Sequence, residues 1–145
     1  MTIEWLWAWG GFALATVVCA AAGLWGGTAE RTIAGTFWGA WVLTYVVASH
    51  GAKGPGDQVI LIDTVCLFVF AAVSLKSRRL WTLIATASQL DDVASHIGAR
   101  LLHFGLYSYL TATGIWGGYV LISCIAAGVW SHRRRDRAAL TLKAA

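Results

Sequence analysis

Gln89, Asp92, His96, Arg100 and His103 recur at steps of three and four residues, the spacing that puts side chains on one face of an α-helix. That face offers an amide, a carboxylate, imidazoles and a guanidinium, groups able to hold a cation, exchange protons or pair with one another. Asp91 adjoins Asp92, while His50 and Asp63 lie upstream in apolar surroundings. Three chemistries fit these residue types. Asp92 and Arg100 flank His96 at i−4 and i+4, so charge pairing alone could hold such a helix in an apolar bundle. Neutral imidazoles at His96 and His103, joined by His50 or Asp63, supply donors for a metal. A haem b takes one His from each of two facing helices, and His50 with His96 is the couple available for it. Asp63, Asp91, Asp92 and His96 are also the titratable stations of a proton, ion or quinone path.

Catalytic signatures are missing. The sequence has no GxSxG elbow, no P-loop, no GxGxxG and no HExxH, and Ser95 projects about 100° away from its neighbour His96 on a helix, which rules out a triad between them. An enzyme is not expected.

The elements that position these residues follow from composition. Of 145 residues, 58% are hydrophobic and 12% charged, against about 25% charged in soluble domains. Mean hydropathy is +0.65, so the bilayer is the expected solvent. The net charge of +4 comes largely from Arg133, Arg134, Arg135 and Arg137, which follow an apolar run where a cytoplasmic anchor belongs; nucleic acid is not an expected partner. Cys19, Cys66 and Cys124 lie in separate apolar stretches without CxxC spacing and read as small packing residues. No Lys or Arg precedes the first apolar segment, so a cleaved leader is not expected.

A span of hydrocarbon needs about 20 apolar residues in helix. Trp5 to Trp25, Thr32 to Ser49, Gln58 to Leu75 and Leu106 to Trp130 supply this, and GAKGPGD (51–57) has the chemistry of an exposed turn. Leu80 to Arg100 is polar, and each Asp at a span centre costs about 2.5–3.5 kcal/mol. Charge balance nevertheless argues that it crosses. Only then do the cluster Lys76, Arg78, Arg79 and the run Arg133 to Arg137 share the cytoplasmic side. The expectation is an all-α bundle of five transmembrane spans over 1–131 with a basic cytoplasmic tail at 132–145, in a bacterial inner membrane, amino terminus periplasmic. The alternative is four spans with an amphipathic or re-entrant fourth helix. Trp5, Trp7, Trp9, Trp25, Trp81 and Trp130 mark headgroup levels. Gly35 with Gly39, and Gly114 with Gly118, have the GxxxG spacing of close helix contacts, within the chain or between copies.

The segment SRRLWTLIATASQLDDVASH (77–96) carries Arg78, Arg79, Trp81, Gln89 and His96. Through these residues, with Asp63, Tyr107 or Tyr109 and the stretch GVWSHRRR, the chain resembles a family of small, uncharacterised polytopic inner-membrane proteins of alphaproteobacteria over its last 90 or so residues. It departs by having Thr82 where a Pro often follows the Trp, and Asp91 and Asp92 where apolar or hydroxyl residues are usual. The resemblance implies the topology and no activity. The function expected on these grounds is an accessory or scaffolding component working through helix contacts with other membrane subunits or its own copies. A haem-, metal- or quinone-binding redox subunit using His50, His96 and His103, or a small proton or ion conductor, are the alternatives.

Overall fold

The computed structural model describes residues 3–49, 56–102 and 106–144, with side chains at 9–47, 56–102 and 108–142. The elements are α1 (Ile3–Trp25), α2 (Thr28–Ser49), α3 (Asp57–Ser77), α4 (Leu80–Leu102), α5 (Leu106–Thr113), a π-helical turn (Gly114–Val120) and α6 (Leu121–Ala144). The last three are continuous, so the described residues form five helical rods and no strand.

Local chemistry places the breaks. Gly26 and Gly27 separate α1 from α2, with the Gly26 N–H still bonded to the Ala22 carbonyl at 2.9 Å. Arg78 closes α3 in the left-handed region, φ 51°, and its N–H reaches Ser74 O at 2.9 Å, which lets α4 start at Leu80 and run back along α3. Asp57 at the start of α3 pairs with Arg100 in the last turn of α4, so the two helices are antiparallel over their full length. At the opposite end Glu30, Arg79, Gly27, His132, Trp25 and Arg133 meet. The two basic clusters therefore occupy the same end of the bundle.

The core packs Ile33, Phe37, Phe70, Ala85, Leu121 and Ile125. Trp81, near the basic end of the bundle, is buried against Gly128, because α4 turns this indole toward α6. Cys66 and Cys124 are buried and Cys19 is half-buried, all as free thiols. Among the described residues, two helical stretches are apolar enough by length and composition to cross a bilayer, Asp57–Ser77 and the 35-residue Ser108–Leu142, with a shorter apolar stretch at Trp9–Trp25. The basic segment beyond Trp130 is no separate coil. It extends the last rod to Ala144, since Ala, Leu and Arg are strong helix formers and His132 bonds Asp136 at 3.3 Å across one turn.

Within the described residues, the closest approaches fall at other glycines than the GxxxG pairs. Among the described residues, a Cβ added at Gly35 or Gly39 would meet nothing within 4 Å. Gly114 is half-buried in the π-helical turn, and Gly118 is buried with only an ordinary contact, Trp41 Cζ2 at 3.7 Å. Close approach occurs at Gly117 and Gly128 instead. A GxxxG spacing specifies a face, but not whether that face turns inward.

Candidate functional site

The inward face of α4 carries Ser88, Gln89, Asp92 and His96, all buried. α3 contributes Asp63 and, one turn on, Cys66; α5 contributes Tyr109. His96 is the hub. Its Nε2 lies 2.9 Å from Asp63 Oδ2 and 3.9 Å from Asp92 Oδ2, and its Nδ1 lies 2.7 Å from Tyr109 Oη. With the proton on Nε2, the ring donates to Asp63 and accepts from the tyrosine hydroxyl. Gln89 donates to the Asp63 carbonyl at 3.3 Å, tying α4 to α3 beside the carboxylate.

The π-helical turn completes the enclosure. Wide turns of this kind displace backbone groups from the regular ladder, and here Ser88 Oγ donates to the Trp116 carbonyl at 2.6 Å. Gly117 faces Asp92, where an added Cβ would stand 2.5 Å from Asp92 Cγ. Any side chain at this position would force that carboxyl group to shift. Gly117→Ala is therefore expected to cost about 1–3 kcal/mol through overpacking, read as a lowered melting temperature in detergent. The same exchange at Gly35, which faces open space, should gain up to about 1 kcal/mol from helix propensity.

Two carboxyl groups thus share one imidazole in a water-poor interior. Asp92 Oδ1 is buried without a hydrogen-bond partner among the described residues, and an unpaired buried polar atom is costly. One ligand atom each from Asp63, Asp92 and His96 lies within 4.8 Å of the others, so a single cation placed among them reaches all three. A His with two carboxylates is a donor set for Zn²⁺, Mn²⁺ or Fe²⁺ rather than for soft Cu⁺. With an ion on Nε2 the ring proton would sit instead on Nδ1, which would donate to Tyr109 Oη and so aim Nε2 at the site, the usual arrangement behind a ligating histidine.

Other expected site residues lie elsewhere. Asp91 is exposed and outside the cluster, because it is rotated about 100° from Asp92; its carbonyl accepts from Ser95 Oγ at 2.8 Å. Arg100 does not pair within the cluster, since its exposed guanidinium binds Asp57 at the rim. His50 and His103, with the side chain of Tyr107, fall outside the described residues.

Sequence reasoning overlooked Ser88, Cys66, Gly117 and, at the opposite end, Glu30. Glu30 is fully buried and accepts from Arg79 Nη1 at 2.5 Å. The available signal was an acid two residues ahead of the second apolar run, in the first turn of a helix. No known family, curated protein or solved structure matches the chain.

Proposed function

We propose that this chain is a five-span integral protein of a bacterial inner membrane, an accessory subunit that holds one divalent transition-metal ion at Asp63, Asp92 and His96. The observation that carries the metal reading is the buried donor set with Asp92 Oδ1 left unpartnered. Membrane residence is supported by an inverted distribution of polarity. Glu30, Gln89, Asp92 and His96 are at most 6% exposed, whereas Leu61, Phe68, Leu75 and Leu83 are at least 60% exposed. Water penalises that arrangement on both counts, while lipid favours it. Placing all five rods across the bilayer fits their lengths, since 20 residues of helix cover about 30 Å. It also fits the shared end of the basic clusters, which is then cytoplasmic. The accessory role rests on Gly39, an exposed glycine outside the groove between α1 and α2, where an added Cβ would meet nothing within 4 Å among the described residues.

In this reading Asp63 and Asp92 neutralise the ion, His96 supplies the nitrogen ligand, Tyr109 and Gln89 hold the ligands in register, and Gly117 keeps the cavity open. When bound, the ion provides Lewis acidity or a redox couple according to its identity. A second reading is favoured by the unbroken hydrogen-bond chain from Tyr109 through His96 to Asp63: the same residues pass protons. Elemental analysis of detergent-purified protein separates the two. Stoichiometric Zn, Mn or Fe supports the metal centre, and failure to take up any of these ions on titration overturns it. Labelling of single cysteines at positions 78 and 134 from the cytoplasmic side only supports the topology, and labelling from opposite sides overturns it.

A further inference from the structure

At the end of the bundle remote from the Asp63–His96 centre, two cavities meet at one residue. The first is an apolar groove of about 320 Å³ between α1 and α2, lined by Ala20, Gly23, Gly35 and Trp38 and ending at Arg31. Its polar wall atom is already satisfied, because Thr16 Oγ1 accepts from the Trp38 indole at 3.2 Å and donates to the Phe12 carbonyl at 2.8 Å. The second, of about 330 Å³, lies between the α1–α2 turn and α6 and is lined by Arg31, Arg133, Arg137, Trp25 and Leu140. Its acid, Asp136, is bonded to His132 at 3.3 Å. Among the described residues neither Arg31 nor Arg137 has a carboxylate partner. The Arg133 guanidinium is held 5.0 Å over the Trp25 ring, a cation–π contact that leaves its N–H edge available.

We propose that this pair of cavities is a binding site for one anionic glycerophospholipid. An acyl chain lies in the groove between α1 and α2, and the phosphate head sits among Arg31, Arg133 and Arg137. The inference rests on the membrane reading above. Charge complementarity selects the headgroup, since among the described lining residues three guanidiniums stand against a single carboxylate, which is turned to His132. Arg31 lines both cavities, so a ligand with an apolar arm in one and an anionic head in the other would join the two at this residue. From Gly23 to Thr16 the groove runs seven residues along α1, or about 10 Å, a depth that suits the upper part of an acyl chain. The glycines at positions 23 and 35 leave its floor open, as neither Cβ position has a neighbour within 4 Å.

The test uses the full-length protein extracted in mild detergent, titrated with phosphatidylglycerol and with phosphatidylcholine of the same acyl chains and followed by native mass spectrometry. Phosphatidylglycerol is expected to be retained preferentially. Arg31→Gln and Arg137→Gln should each weaken it about fivefold, since a basic side chain near a membrane surface contributes about 1 kcal/mol toward anionic lipid. Both positions are exposed, so melting temperature should be unchanged. Gly35→Leu, which fills the groove, should abolish retention in a protein of unchanged helicity; if that variant does not fold, the two Arg variants decide. Glycerol 3-phosphate should not displace the lipid, because it leaves the apolar arm empty, and displacement at equal concentration would identify a phosphate site and overturn the lipid assignment. Equal retention of both lipids by wild type, or undiminished retention by the double Arg variant, overturns the site and leaves the membrane reading intact. Recovery of the protein in the soluble fraction without detergent would overturn the membrane reading itself.

Discussion

Asp92→Asn is expected to abolish stoichiometric metal binding, and His96→Ala to do so while also loosening the bundle. The amide in Asp92→Asn keeps the shape that Gly117 accommodates but removes the charge that a divalent ion requires. His96→Ala removes the nitrogen ligand and strips Asp63 and Tyr109 of their shared partner, leaving buried polar groups that cost about 1–3 kcal/mol each. In wild type, a chelator should lower the melting temperature, because an ion present at a hundred times its dissociation constant adds about 2.7 kcal/mol to the folded state. In Asp92→Asn that chelator effect should vanish. Asp91→Asn, one position away and exposed, should retain both metal and chelator response. Equal metal content in Asp92→Asn and wild type would show that the carboxylate is not a ligand. Metal loss confined to His96→Ala, with Asp92→Asn and Asp63→Asn still loaded, would move the site away from this cluster.

Glu30→Gln carries the second large effect, at the other end of the molecule. Glu30 has no exposed surface and its Oε1 holds Arg79, where the α1–α2 turn, the α3–α4 turn and α6 converge. Removing one member of a fully buried ion pair costs about 3–5 kcal/mol, and about half of that is expected here because the Arg79 left behind is 29% exposed, whereas replacing both by apolar residues of similar size is often neutral. Glu30→Gln should therefore lower thermal stability in detergent far more than any substitution of the exposed arginines on α6. The double replacement Glu30→Met with Arg79→Met should recover most of that loss. A single variant as stable as wild type would mean that the pair adds nothing to the junction.

Local rules were enough to reach several features of this protein. The apolar runs ending at Trp25 and at Leu75 stop within two residues of where α1 and α3 stop, while most of the expected GAKGPGD turn lies outside the described residues. The three-and-four spacing of Gln89, Asp92 and His96 identifies a polar stripe on α4 because side-chain direction within one helix depends only on its period. The same spacing admitted Arg100 to the stripe, yet Arg100 reaches the rim and pairs with Asp57, 43 positions away.

Tertiary structure alone decided which partners the stripe meets. Asp63 and Tyr109 close around His96, and Glu30 finds Arg79 across 49 positions. Gly117, in a stretch whose glycines pointed to a GxxxG contact, became the wall behind Asp92, while Gly35 and Gly39 were left facing outward. The reason is rotational. A helix period relates the faces of one rod to each other and says nothing about how that rod is turned toward its neighbours, and a π-helical turn at 114–120 resets the rotation of everything beyond it. That azimuth is chosen by the packing of all five rods together, and it determines whether an acid, an imidazole or a glycine ends in the interior.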